Sequence, residues 1–185
     1  MITLKELETK IIKIDVEKVR ENLISLGCPN VKKENQINNI FDFSDRTLLD
    51  KKGYARVREV QDLLRNETHF YMTTKKMLSQ DKFKVMDEHE IEVSDGNVAM
   101  DIFKSLGLEL VESIKKSRES YSYKNTLIEI DINDPSFCPF PYMEIETAKE
   151  DELKEVVELL GYTMEDTTSK TIYELIGGDD KLKGL

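Results

Sequence analysis

The sequence is poor in the residues that hold small disulfide-rich or zinc-binding domains together. Its 185 residues contain only two cysteines, two histidines and no tryptophan. Cys28 and Cys138 lie far apart and belong to no CxxC pair, so neither a disulfide framework nor a thiolate zinc site is predicted. This cysteine usage favours a reducing compartment, and we expect a cytoplasmic protein.

Long apolar runs are also missing from the sequence. The first ten residues, MITLKELETK, show no basic segment followed by an apolar stretch, so neither a signal peptide nor a membrane span is predicted. No GxxxxGK[ST] or GxGxxG run occurs, which excludes the usual glycine-rich phosphate-binding loops.

Basic residues are fewer than acidic residues. The chain has 27 Lys and Arg against 37 Asp and Glu, so 27 − 37 gives a net charge of −10. The long-range field of such a protein repels phosphate, which argues against nucleic acids and anionic membranes as partners. An anionic ligand must therefore be held by a local basic cluster.

Length and composition fit one domain of ordinary size, since 39% of the residues are hydrophobic. We place this domain at residues 1–176. The last segment, 177–185 (GGDDKLKGL), is predicted to be a flexible C-terminal tail.

Apolar spacing divides the chain into helices and strands. Residues 15–26, 97–106 and 151–160 carry helical spacing, and each segment is followed by a glycine suited to a left-handed C-terminal cap. The segments that alternate with period two are Leu4–Ile14, Gln36–Phe43, Tyr54–Val60, Thr68–Lys75, Lys84–Val93, Glu112–Tyr123, Thr126–Ile132 and Tyr142–Thr147. Parallel α/β folds place a helix after nearly every strand, so an antiparallel α+β architecture is predicted.

Charged side chains occupy one face of most of these strands, because residues two apart in a strand point the same way. The acidic rows contain Glu6, Glu8, Glu88, Glu90, Glu129, Asp131, Glu144 and Glu146. The basic positions are Lys10, Arg56, Arg58, Lys75, Lys116 and Arg118. For any single strand the ordinary interpretation is a solvated sheet face. The recurrence of charged rows on so many strands instead favours an eight-stranded antiparallel β-barrel with helices packed outside and a charged lumen.

The two kinds of row indicate a class of ligand. Paired carboxylates suit Mg²⁺ or Mn²⁺, which usually binds through one or two carboxylates together with phosphate oxygens. Rows of Arg and Lys suit a chain of phosphates. The sequence therefore predicts a nucleotide or an inorganic polyphosphate bound with a divalent metal.

An ordered set of short motifs resembles the CYTH superfamily, also called triphosphate tunnel metalloenzymes. The motifs are ELETK at 6–10, FDF at 41–43, YARVRE with Arg56 and Arg58, TTKK at 73–76, EHEIEVSD at 88–95, KxR at Lys116 and Arg118, and MEIE at 143–146. The ExExK motif alone is too short to identify a family, but the whole set of motifs in this order is specific to the superfamily. Within the superfamily it is most similar to the class IV adenylate cyclase branch.

The resemblance implies a tunnel of eight antiparallel strands that binds a triphosphate with Mg²⁺ or Mn²⁺. It implies metal binding by Glu6, Glu8, Glu144 and Glu146, with Glu88, Glu90 and Glu129 as further tunnel acids. It implies phosphate binding by Lys10, Arg56, Arg58, Lys75, Lys116 and Arg118. Lys10 and Asp131 are the expected catalytic residues.

Two reactions share such machinery, and the sequence leaves both open. The first is conversion of ATP to cyclic AMP and pyrophosphate, which the branch resemblance favours. The second is hydrolysis of tripolyphosphate or a nucleoside triphosphate. A non-catalytic module that binds polyphosphate or nucleotide is the third alternative, and a homodimer also stays open.

Overall fold

The structure of the protein is a computed structural model that describes residues 6–177. The described residues form eight strands: β1 (Glu6–Ile12), β2 (Asn30–Asp42), β3 (Tyr54–Asp62), β4 (Glu67–Gln80), β5 (Lys84–Val93), β6 (Glu109–Tyr123), β7 (Thr126–Asn133) and β8 (Tyr142–Thr147). They also form the helices α1 (Val16–Ser25), α2 (Thr47–Asp50), α3 (Gly96–Ser105), α4 (Glu150–Leu159) and α5 (Ile172–Leu175), with a 3₁₀ turn at Met164–Asp166.

The eight strands form a closed antiparallel barrel in the order β1-β5-β4-β3-β2-β6-β7-β8. The barrel closes where β8 pairs with β1, which sets Glu144 opposite Lys10 and Tyr142 opposite Ile12. The predicted α+β fold, an eight-stranded antiparallel barrel with outer helices, is confirmed.

Three helices end in the way that their glycines predict. Gly27, Gly107 and Gly161 follow α1, α3 and α4 with φ angles of 70°, 91° and 83°. After α1, the N–H of Cys28 donates to the carbonyl of Leu23 at 3.0 Å, which is the bond of a Schellman cap. All three helices lie within one residue of the predicted bounds.

The helices cover the outer face of the barrel. Val19 and Leu23 of α1 and Val157 of α4 join Ile130 and Ile145 of the barrel in one buried cluster. On another side, Phe103 of α3 packs against Phe41 of β2, with ring centroids 5.5 Å apart. Because these outer residues alternate with charged ones, the charged side chains face the lumen.

Several boundaries differ from the sequence predictions. β2 begins at Asn30 rather than Gln36, and β4 continues to Gln80 rather than ending at Lys75. α2 and α5 were not predicted, since four residues are too few to show a helical period. The predicted strand start at residues 4–5 and the predicted tail from residue 178 onward lie outside the described residues. Within residues 6–177, no helix has the length and apolar character needed to cross a membrane.

Candidate active site

The barrel lumen holds a cavity of about 690 Å³. Its wall contains the predicted site residues Glu6, Glu8, Lys10, Arg56, Arg58, Lys75, Glu88, Glu90, Lys116, Arg118, Glu129, Glu144 and Glu146. Strand register explains this convergence. Arg56 lies opposite Thr73, and Thr73 lies opposite Glu90, so one row crosses three strands on the inner face.

Lys10 is the centre of a buried ion-pair network. Its Nζ lies 2.6 Å from Glu8 Oε1 and 2.9 Å from Glu144 Oε1. Burial opposes the charge of Lys10, but Glu144 and Glu8 outweigh it and raise the pKa of this lysine. Burial likewise opposes ionisation of Glu144, and the charges of Lys10 and Arg118 hold the pKa of that carboxyl well below its usual value. These groups are therefore charged at neutral pH.

Asp131 lies on the inner face of β7, opposite Arg118, but it is not exposed to the cavity. Its side chain is fully buried, and its carboxylate accepts hydrogen bonds from Arg118 and from Lys116, the latter at 2.7 Å. Burial alone would raise the pKa of Asp131, but Arg118 and Lys116 lower it. In this structure Asp131 contacts the two cations that line the cavity, which is the geometry of a positioning residue.

Arg56 and Arg58 form a second basic region on β3. Both guanidinium groups contact Glu90, at 3.3 Å and 3.0 Å, and Lys75 Nζ lies 2.7 Å from Glu88. The Nε atoms of both arginines are buried, and neither finds a hydrogen-bond acceptor among the described residues. Buried donors without acceptors are costly, so this wall fits an anion that supplies the missing oxygens.

A group of carboxylates lies where β1 begins and β8 ends. It consists of Glu6, Glu8, Glu129 and Glu146, which we call the carboxylate cluster. Burial, a hydrogen bond with Glu6, and the charges of Glu129, Glu6 and Glu8 raise the pKa of Glu146 to about 9. A divalent cation would relieve this repulsion, and hard carboxylate oxygens are the ligands that Mg²⁺ and Mn²⁺ prefer. The residues present therefore fit such an ion.

The carboxylates do not converge as a finished metal site. No group of three or more Asp, Glu, His or Cys side chains among residues 6–177 has the arrangement needed to hold a metal ion. Glu8 is bonded instead to Lys10 and Lys84. Glu144 contacts Lys10 and Arg118, while Glu88 and Glu90 contact the cations of the second basic region.

The other end of the cavity is apolar. An apolar group lines it, which we call the apolar end: Ile40, Tyr54, Ile114, Phe137, Tyr142, Ile172 and Tyr173. The polar residues Lys52, Thr171 and Glu174 line the cavity beside this group. Tyr142 and Tyr54 are the first residues of β8 and β3, and helix α5 covers this end with Ile172 and Tyr173. The carboxylate cluster and the apolar end thus lie at opposite ends of β1 and β8.

Sequence reasoning missed Lys84 and the apolar end. Lys84 shares the inner face of β5 with Glu88 and Glu90, so alternation along this strand was a usable signal. Strand alternation does not indicate that Tyr173 lines the lumen, because Tyr173 is not on a barrel strand. It reaches the lumen because the segment after α4 folds back against the barrel.

Comparisons with known proteins agree with the fold. A family model for the CYTH domain matches residues 4–172. A Methanocaldococcus jannaschii protein that carries the name putative adenylate cyclase is 28% identical over 181 residues, covering 93% of this chain and 98% of that protein.

Solved structures show the same architecture. The PH1012 protein of Pyrococcus horikoshii superposes with a TM-score of 0.76 at 24% identity, covering 92% of this chain and 98% of that one. A Hippeastrum protein, named a putative adenylyl cyclase with a dominant triphosphatase activity, gives a TM-score of 0.65 at 16% identity, covering 83% of this chain and 84% of that one.

Proposed function

The chain belongs to the CYTH domain family, and on this premise we propose that it is a divalent-metal-dependent enzyme that acts on a triphosphate inside its barrel. The leading reaction is conversion of ATP to cyclic AMP and pyrophosphate, which the name of the M. jannaschii relative supports. The observation that carries the proposal is the pair of buried arginine Nε donors without acceptors in a lumen that also holds a carboxylate cluster.

A divalent cation would bind at the carboxylate cluster. Glu6, Glu8 and Glu146 would hold Mg²⁺ or Mn²⁺, which supplies charge neutralisation at the phosphates when bound. The ion pairs at Glu8 exchange partners when substrate arrives, because Lys10 then has phosphate oxygens to contact.

The basic side chains hold and orient the phosphate chain. Arg56 and Arg58 present buried guanidinium groups to it, while Lys75 and Lys10 add single charges. Asp131 fixes the direction of Arg118 through two hydrogen bonds. Prearranged cations of this kind stabilise charge that develops on phosphate oxygens, and positioning supplies most of the catalysis in phosphoryl transfer.

Hydrolysis of the triphosphate is the second candidate, and the order of groups along the lumen favours it. On β8 the sequence from the apolar end is Tyr142, Glu144 and Glu146, so the carboxylate cluster is farthest from the apolar end. An organic triphosphate with its organic group at the apolar end would have its terminal phosphorus nearest the carboxylate cluster. A divalent ion held by Glu6, Glu8 and Glu146 would supply an activated water there, and attack of that water on the terminal phosphorus would release orthophosphate and leave the diphosphate.

A product assay separates these reactions. Purified protein is incubated with Mg²⁺ or Mn²⁺ and either ATP or tripolyphosphate. Cyclic AMP with pyrophosphate supports the leading reaction, and orthophosphate supports hydrolysis. Absence of every product contradicts enzymatic function and leaves a binding module.

A double variant tests the metal assignment. Glu6→Ala with Glu8→Ala should reduce turnover by about a hundredfold or more, since electrostatic groups at reacting centres contribute that much. The matched control is Glu17→Ala with Glu21→Ala, which removes two exposed carboxylates of α1 outside the barrel. Full activity in the first double variant would contradict the assignment.

Cys28 and Cys138 are both buried, and they do not form a disulfide with each other. We extend the proposal to a cytoplasmic location, where thiols stay reduced.

A further inference from the structure

One part of the outer barrel surface lies outside the apolar clusters that the helices cover. It spans β3, β2, β6 and β7, and its side chains alternate along the strands with lumen residues. A groove crosses this surface, which we call the outer groove. Its outward-facing lining includes Asn35, Ile37, Glu59, Gln61, Lys115 and Ile132.

Two isoleucines of the outer groove have no apolar cover. Ile132 is 40% exposed and Ile37 is partly exposed. Neither belongs to the three apolar clusters that the described residues form. The groove therefore offers apolar surface on a face that is otherwise polar, which is the composition of a contact surface between subunits.

Ile37 lies at the centre of a row of three outer side chains. It pairs with Glu59 of β3 on one side and with Lys115 of β6 on the other. Neighbouring strands are about 4.8 Å apart, so the backbones that carry this acid and this base are about 10 Å apart. Among the described residues, neither side chain forms an ion pair. Asp134, the other charged residue of the groove, has its carboxylate bonded to the hydroxyl of Ser136 at 2.6 Å.

Two copies of this row are complementary under a two-fold rotation. In an isologous interface the same patch of both chains is in contact, so each pairwise contact occurs twice. With the two-fold axis in the plane of contact and along β2, Glu59 of each chain faces the partner's Lys115, and Ile37 meets its own copy. An axis across the strands would instead set Glu59 against its own copy, which the repulsion of like charges opposes.

The residues on either side of Ile37 are compatible with the same axis. Asn35 and Asn39 are its neighbours on the outer face of β2. An amide side chain carries both a donor and an acceptor, so it can pair with its own copy across an axis. No charged side chain lies on the outer face of β2 between these two asparagines, so no like charges meet there. Because strands twist, the rows beyond them turn away from the contact.

We infer that the outer groove is the contact surface of a homodimer, in which Lys115 of each chain pairs with Glu59 of the other on both sides of Ile37. Each chain has a net charge of −10, so two copies repel at long range and their association depends on such local complementarity. The inference is independent of the proposed function, since the contact uses outward-facing side chains and each barrel keeps its own lumen.

Charge reversal tests the pairing. Sedimentation equilibrium should give the wild type twice the chain mass of 21.5 kDa. Glu59→Lys and Lys115→Glu each create two contacts between like charges per dimer, so each should raise the dimer dissociation constant by about tenfold or more. The double variant Glu59→Lys with Lys115→Glu restores opposite charges, and its dissociation constant should lie within about threefold of the wild-type value.

An equimolar mixture of the two single variants tests the two-fold arrangement itself. The Glu59→Lys chain presents two bases, and the Lys115→Glu chain presents two acids. A mixed dimer therefore has two contacts between opposite charges and none between like charges. It should form about tenfold or more tightly than the dimer of either variant alone. The matched control is Glu158→Lys, which reverses an exposed charge on α4 and should leave the wild-type dimer unchanged.

Three results would overturn the inference. A wild type that sediments as a monomer would leave this face to a different partner. A dimer that neither single variant weakens must form through another surface. Weakening by both variants without recovery in the double variant or in the mixture would contradict the pairing of Glu59 with Lys115. Thermal midpoints within about 2 °C of the wild-type value are expected for every variant, since the changes lie on the outer surface.

Discussion

Arg118 donates two hydrogen bonds of 2.6 Å to Asp131, one from Nε and one from Nη2. The two residues face each other on β6 and β7. Asp131 also accepts from Lys116, so one buried carboxylate fixes two cations of the lumen wall. The orientation of both cations therefore depends on Asp131.

Asp131→Ala should destabilise the protein by about 3–5 kcal/mol, because it removes the ion-pair partner that Lys116 has among the described residues and one of the three carboxylates that pair with Arg118. Urea unfolding measures this loss. The control Asp101→Ala removes an exposed carboxylate of α3 that pairs with Lys104, and it should change stability by less than about 0.5 kcal/mol. Equal effects of the two substitutions would contradict the structural role of Asp131.

Lys84→Met should increase the affinity for the divalent cation. Lys84 contacts Glu8, and its charge opposes a cation at the same carboxylate. Removing about 1 kcal/mol of repulsion should lower the half-saturating Mg²⁺ concentration by about fivefold. Metal titrations of activity measure the shift. Lys82→Met is the control, since Lys82 is exposed and contacts Glu150 outside the lumen. A higher Mg²⁺ requirement in Lys84→Met would show that Lys84 supports the metal site instead.

Acid should loosen α5 before it unfolds the barrel. Burial opposes ionisation of Glu174, but hydrogen bonds from Lys52, the Thr171 backbone and Gln80 lower its pKa from 4.5 to about 2. A depressed folded-state pKa adds stability above pH 4.5 that is lost as the pH falls toward 2. Since Glu174 is largely exposed, we expect about 1 kcal/mol or less.

Hydrogen exchange at the amides of Leu175 and Ile176 measures this opening. Exchange should accelerate between pH 5 and pH 3, after correction for intrinsic rates, in the wild type. In Glu174→Gln it should already be fast at pH 5 and show little further change. The same pH dependence in both proteins would exclude Glu174 as the cause.

Gly53→Ala should disturb the lumen through the backbone. A Cβ at this position would lie 2.5 Å from the carbonyl oxygen of Lys75. The strands must separate to admit it, at a cost of about 1–3 kcal/mol. Tyr54 pairs with Lys75 at this point, so phosphate affinity should fall as well. Lys51→Ala, in the exposed turn before Gly53, should leave both unfolding midpoint and affinity unchanged. A similar midpoint for Gly53→Ala would show that the strands tolerate the methyl group.

The inner face of the barrel was predictable because strand alternation is a local property. Arg56 and Arg58 are two residues apart, and so are Glu144 and Glu146, which places each pair on one face without knowledge of the fold. Closure of the barrel followed from the recurrence of this pattern. The ordered set of short motifs then indicated the CYTH family.

Pairing between distant segments was not predictable in the same way. Glu8 meets Lys84 across 76 residues, and no local period in the sequence relates the two. Tyr173 reaches the lumen because Thr168 pairs with Lys10 through backbone hydrogen bonds, a contact between the two ends of the domain. Such contacts depend on the three-dimensional path of the chain.

The internal ion pairs of the lumen would make the binding of an anion and the binding of a cation interdependent. Lys10 is already neutralised by Glu8 and Glu144, so an anion that draws Lys10 away uncovers negative charge on those acids. That uncovered charge would attract a cation, and a cation bound first would release Lys10 for the anion. Thermodynamic reciprocity requires each ligand to lower the dissociation constant of the other by the same factor. The preformed lysine–glutamate contacts thus couple the two binding sites, so that each ion would bind more tightly in the presence of the other.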